Sequence, residues 1–146
     1  MPKVILLVED NQDDEELALL AFKKGQVANR IVVARDGVEA IEYLMGSGRY
    51  ADVPDHVLPQ MVLLDLKLPK VDGLEVLRRI RSEPRTRRIP VIILTSSREE
   101  EDLIRSYDLG ANSYVRKPVD FQQFVEAVRQ LQLYWLVINE PPPLRG

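Results

Sequence analysis

Short apolar runs alternate along this chain with longer stretches in which apolar residues recur every three or four positions. The runs are Val4 to Val8, Ile31 to Ala34, Met61 to Leu64, Val91 to Leu94 and the shorter Ser113 to Arg116. Val4 to Val8 has no polar position at all, as expected of a strand buried on both faces. The stretches between them read as helices. Leu17, Leu20, Ala21 and Lys24 share helical spacing within Asp13 to Lys24, and Val38, Ile41 and Leu44 or Met45 do so after Asp36-Gly37. Leu74, Leu77, Ile80 and Arg81 form an inward stripe after Asp72-Gly73, and Pro84 stops that helix. Leu103, Ile104 and Tyr107 face inward in the next helix, with Gly110 as its C-terminal cap. Asp120 caps the last, whose stripe is Phe121, Phe124, Val125, Val128, Leu131 and Trp135. Residues 48–59 read as a surface loop with His56 exposed.

Five β/α units in alternation define an α/β protein with an open parallel sheet, right-handed crossovers and helices on both faces. The flavodoxin-like doubly wound version has strand order 2-1-3-4-5, and ligands bind beyond the carboxyl ends of its strands. Residues that handle charge or phosphate stand at that edge. Glu9 and Asp10 follow the first run, Asp65 the third, Thr95 the fourth and Lys117 the fifth.

Composition narrows the chemistry. The chain has 146 residues, 45% hydrophobic and 29% charged, enough for one folded domain. It has no cysteine and a single histidine, so any metal site must be built from oxygen. A net charge of −3 argues against nucleic acid as a partner, and the arginines near residues 78–88 complement a helix C-terminus. No apolar run approaches the roughly 20 residues of a membrane span, and no signal-peptide pattern precedes the first strand, so a cytoplasmic protein is expected.

Asp65 is the candidate nucleophile, because a carboxylate at the sheet edge can attack phosphorus in line if a cation screens its charge. Asp10, with Glu9 alongside, would hold that cation. Mg²⁺ favours oxygen ligands and keeps some of its waters, so Asp10, Asp65, the backbone carbonyl of Lys67 and water would suffice. Lys117 offers a point charge to one phosphoryl oxygen and Thr95 a hydroxyl donor to another.

With Glu9-Asp10, Asp65, Thr95-Ser96, Tyr114 and Lys117-Pro118 in place, the span from Val4 to Leu136 resembles a response-regulator receiver domain of two-component signalling. The resemblance implies that Asp65 is a phosphoacceptor supplied by a histidine kinase and that Glu9 and Asp10 form the Mg²⁺ site. It also implies a switch in which Thr95 moves toward the phosphoryl group and Tyr114 rotates inward, and a cis Lys117-Pro118 bond. Glu9 stands where the family often has aspartate, and Lys67 and Ser97 stand where it varies its dephosphorylation rate. The run 111–118 and Tyr134-Trp135 resemble the stand-alone regulators paired with bacterial and cyanobacterial phytochromes, so a bacteriophytochrome is an expected kinase.

The receiver is expected over residues 1–136 and an extended or exchanging tail over 137–146, with output through protein association. Leu133, Tyr134, Val137 and Ile138 fall off the core stripe, which makes them interface candidates for a homodimer. Three rival readings share parts of this pattern. A haloacid-dehalogenase-like phosphatase wants a second aspartate two residues after the nucleophile, where this chain has Lys67. A flavodoxin-like cofactor binder wants a phosphate cradle after the first strand, where this chain has acids. A receiver-like scaffold that is never phosphorylated would not need Glu9, Asp10, Asp65, Thr95 and Lys117 together.

Overall fold

The computed structural model of the protein describes residues 3–27, 29–51, 58–96, 99–117 and 120–131. His56, Ser97, Pro118 with its expected cis bond, Trp135 and the interface candidates Leu133, Tyr134, Val137 and Ile138 lie outside the described residues, as does the side chain of Leu131.

Five strands, β1 (Val4–Val8), β2 (Arg30–Ala34), β3 (Met61–Leu64), β4 (Val91–Thr95) and β5 (Ser113–Arg116), form one parallel sheet in the expected order 2-1-3-4-5. The helices are α1 (Gln12–Lys24), α2 (Gly37–Met45), α3 (Gly73–Ser82), α4 (Glu100–Asp108) and α5 (Phe121–Leu131). Successive residues of a strand point to opposite faces, so the central strands feed two cores. Val4, Leu6, Val8, Val62, Leu64 and Ile93 pack with Ala40, Leu44, Val76, Leu77 and Ile80 of α2 and α3. Ile5, Leu7, Leu63, Ile92 and Leu94 pack with Ala18 and Phe22 of α1 and Phe124, Val125 and Val128 of α5. Among the described residues no helix is long and apolar enough to cross a membrane.

Local chemistry starts and stops the helices as expected. Asp36, Asp72 and Asp120 accept hydrogen bonds from the backbone N–H three residues on, at 2.8, 3.0 and 3.0 Å. Glu83, the residue before Pro84, is extended and ends α3. Gly110 has φ of +97° and follows α4 in a Schellman turn, its N–H bonded to Tyr107 O and that of Ala111 to Ser106 O.

Two helix faces differ from the sequence reading. In α1, Leu17 and Leu20 of the expected stripe are exposed, Ala21 is buried as expected, and Ala18 and Phe22 join it. Small alanines let α1 lie close to the sheet beside α5, and buried Glu15 on the same side accepts two hydrogen bonds from Arg35, at 3.0 and 2.9 Å. In α4, Ile104 and Tyr107 are exposed and Leu103 is half-buried, while Asp102 and Ser106 are buried. Asp102 is turned toward Lys67 of the β3–α3 loop, 3.5 Å away, so the face that packs is polar at these two positions. The segment after α2 also has more structure than a plain loop, since Gly48–Tyr50 forms one 3₁₀ turn that brings Tyr50 edge-on to Tyr43, with ring centroids 5.0 Å apart.

Candidate functional site

The strand ladders run one rung past the strands and carry the site residues with them. Asp65 N–H donates to Val8 O at 3.1 Å, Glu9 N–H to Ala34 O at 2.9 Å, and Lys117 N–H to Thr95 O at 2.8 Å. Glu9, Asp65, Thr95 and Lys117 are thus set in register at the carboxyl edge by backbone bonds. Glu9, Asp65 and Thr95 are buried, while Asp10 is exposed.

Carboxylate oxygens of Glu9, Asp10 and Asp65 lie within 4.8 Å of one another, as a site for a hard cation requires. Lys117 reaches the same place from the edge strand. Its Nζ donates to Glu9 Oε1 at 2.6 Å, Asp14 Oδ2 at 2.9 Å and Asp65 Oδ2 at 3.1 Å. The second oxygen of Asp65 accepts from Lys67 N–H at 3.2 Å, and Glu9 Oε2 accepts from Asn11 N–H at 3.2 Å. One ammonium thus faces four carboxylates, counting exposed Asp10. Burial pushes the Glu9 carboxyl up to about 7, with nearby Asp65 adding to the rise and the Lys117 hydrogen bond opposing it. Burial draws the Lys117 ammonium down, but its bonds to Asp14 and Glu9 and the charge of Asp65 outweigh this and hold it above its ordinary value. The surplus of negative charge, made of oxygen ligands alone, fits a divalent cation.

Of the residues singled out from sequence, Glu9, Asp10, Asp65 and Lys117 come together directly. Thr95 ends β4, the strand paired with β3 whose end carries Asp65, and is wholly buried. Tyr114 is half-buried against the α2/α3 core, with the Arg116 guanidinium 5.8 Å from its ring centroid. Lys67 contributes its backbone N–H to Asp65 and turns its ammonium to Asp102. Asp14 was missed. It is the third residue of α1, its N–H bonded to the Asn11 cap at 2.9 Å, which leaves its carboxylate free to lean toward Lys117. The signal was its position one helical turn after Asp10.

Gly73 forms the floor of the site. Its N–H donates to Leu66 O at 2.9 Å, and a Cβ there would lie 2.2 Å from Asp65 O and 2.6 Å from Leu66 Cα. Gly73→Ala therefore has to push the backbone of Asp65 off its rung, with an expected loss of about 2 kcal/mol. Chemical denaturation measures it, with an unchanged midpoint as the contrary result.

A doubly wound sheet with an oxygen cluster and one lysine at its carboxyl edge is the architecture of a phosphoryl-handling signalling domain, and the comparisons agree. The chain belongs to the response regulator receiver domain family, whose model matches residues 5–129. It is similar to response regulator Rcp1 of Synechocystis, 40% identical over 135 residues, covering 92% of this chain and 90% of Rcp1. The Mn²⁺-bound form of Rcp1 superposes with a TM-score of 0.83 over 97% of this chain and 100% of that one, at 39% identity. The phosphorylated cyanobacterial phytochrome response regulator RcpA superposes with a TM-score of 0.85 at 40% identity, covering 98% and 100% of the two chains. The bacteriophytochrome response regulator AtBRR is 55% identical, with a TM-score of 0.77 over 96% and 99%. Family membership sets aside the phosphatase and cofactor-binder alternatives.

Proposed function

We propose that the protein accepts a phosphoryl group on Asp65 from a histidine kinase in a Mg²⁺-dependent reaction and signals through phosphorylation-dependent protein association. The observation that carries this reading is the Asp65 carboxylate itself, held by Lys67 N–H on one oxygen and by Lys117 on the other, beside Glu9 and Asp10. In the reaction, an Asp65 oxygen forms a bond to phosphorus while the phosphorus–nitrogen bond of the donor phosphohistidine breaks and its electron pair stays with the imidazole. Return to the resting state is attack of water on phosphorus, which gives inorganic phosphate and restores the carboxylate.

Glu9, Asp10, Asp65 and the backbone carbonyl of Lys67 would hold the ion, consistent with a Mn²⁺-bound form of Rcp1. When bound there, Mg²⁺ supplies screening of the carboxylates against incoming phosphoryl oxygens. Lys67 N–H and the strand ladder keep Asp65 oriented, and Lys117 neutralises a phosphoryl oxygen. Thr95, beside Asp65 at the end of β4, offers its hydroxyl to another, and Tyr114 on β5 transmits the change to the α4–β5 surface. The likeness to AtBRR and RcpA makes a phytochrome the kinase of choice, and a homodimer built through residues 133–138 the first association to test.

The test is phosphotransfer from a radiolabelled bacteriophytochrome kinase. Label is expected on the wild type and not on Asp65→Asn. Label carried equally by both proteins would remove Asp65 from the reaction, and a kinase that stays fully labelled beside the wild type would remove the phytochrome pairing.

A further inference from the structure

Lys117 has three ammonium N–H groups, and each goes to a different carboxylate: Glu9 at 2.6 Å, Asp14 at 2.9 Å and Asp65 at 3.1 Å. A phosphoryl oxygen that takes Lys117 must displace one of them. The three bonds are not equally replaceable. The Glu9 and Asp65 side chains are 2% and 7% exposed, so water cannot take over from Lys117 there, whereas Asp14 is 38% exposed and rehydrates on release. Asp14 is also the carboxylate outside the cation cluster, since the oxygens that lie within 4.8 Å of one another belong to Glu9, Asp10 and Asp65.

We propose that Asp14 is a positioning residue that competes with the phosphoryl group for Lys117 and so limits both how fast Asp65 is phosphorylated and how long it stays so. The inference rests on the phosphoacceptor reading. Before phosphorylation Asp14 occupies the Lys117 N–H that a phosphoryl oxygen needs, and its charge adds to the repulsion of an anionic donor. After phosphorylation it pulls Lys117 back toward α1. The backbone has no need to move in either state, because Asp14 N–H is pinned to the Asn11 cap and only the carboxylate changes partner. α1 is thereby linked to the phosphorylation state by a route separate from Thr95 and Tyr114.

The experiment measures phosphorylation by acetyl phosphate and subsequent loss of label for the wild type, Asp14→Ala, Asp14→Asn and Asp14→Glu, with Mg²⁺ affinity measured in parallel. Asp14→Ala is expected to raise the second-order rate constant about three- to tenfold, an advantage that shrinks with added salt, and to lengthen the phosphoryl half-life. Asparagine, an uncharged acceptor of the same shape, is expected to fall between, and Asp14→Glu to return the wild-type rate. Mg²⁺ affinity is expected to fall by no more than a few-fold, because Asp14 adds charge but no ligand oxygen to the cluster, and the rates are compared at saturating Mg²⁺. A slower or unchanged rate in folded Asp14→Ala overturns the inference and makes Asp14 a simple brace for Lys117. If the wild type takes no phosphoryl group under the same conditions, the phosphoacceptor reading fails and the inference falls with it.

Discussion

Lys117→Met is expected to destabilise the metal-free protein by about 2–3 kcal/mol at pH 8, and added Mg²⁺ is expected to return more of that loss than it adds to the wild type. Lys117 bonds three carboxylates at 2.6–3.1 Å, so its removal leaves Glu9 and Asp65 buried and without their cation. Breaking a buried pair from one side costs about 3–5 kcal/mol, and the loss here is smaller because Glu9 can take up a proton. That proton gives the effect a pH dependence. A carboxyl raised by the fold from 4.5 to about 7 holds more protons in the folded than in the unfolded state between those values, so stability falls as pH rises through that window. Without Lys117 the carboxyl is raised further, so the fall is expected to continue to higher pH, with the variant closer to the wild type at pH 5 than at pH 8. Thermal melts at both pH values, with and without Mg²⁺, check this. Equal destabilisation at the two pH values, or no added benefit from the ion, would contradict the charge-surplus description of the site.

The other large effect lies away from the site. Arg81→Ala is expected to lower stability by about 3 kcal/mol, on the order of 10 °C in Tm. The guanidinium directs all five of its N–H groups at neutral acceptors. Nε and Nη2 donate to Gly110 O at 2.9 and 2.7 Å, Nη1 to Ile89 O at 2.6 Å and Arg87 O at 3.1 Å, and Nη2 to Asn112 Oδ1 at 3.0 Å. These bonds tie the end of α3 to the approach of β4 and to the turn between α4 and β5. Burial lowers the pKa of the group, and the acceptors that meet its charge are carbonyl and amide oxygens. Arg81→Lys is expected to recover little, because an ammonium cannot reproduce the planar fork. A differential scanning calorimetry trace of Arg81→Lys that matches the wild type would show that the fork is dispensable.

The strands were legible because burial on both faces demands apolar residues, and β1 and β3 meet that demand at every position and β4 at every position before Thr95. Their carboxyl ends then named Glu9, Asp10, Asp65 and Lys117 as neighbours, because a parallel sheet puts those ends on one edge. Helix faces were less legible where two apolar stripes compete. α1 offers Leu17 and Leu20 on one side and Ala18 and Phe22 on another, and the face that packs also carries Glu15 against Arg35, a partner 20 residues away that periodicity cannot see. In α4 the buried positions are Asp102 and Ser106, so hydrophobicity pointed away from the face that packs. Asp14 escaped for a related reason: acids in a first helical turn usually serve the helix dipole, and its contact is 103 residues distant.

The central claim is that this chain's own edge cluster directs a phosphoryl group to Asp65, and intact-protein mass spectrometry after incubation with acetyl phosphate tests it without any kinase. The wild type is expected to gain about 80 Da when Mg²⁺ is present and nothing when it is chelated, and Asp65→Asn is expected to keep its mass in both conditions. A folded wild type that gains no mass beside a working control, or an equal gain in Asp65→Asn, would contradict the account.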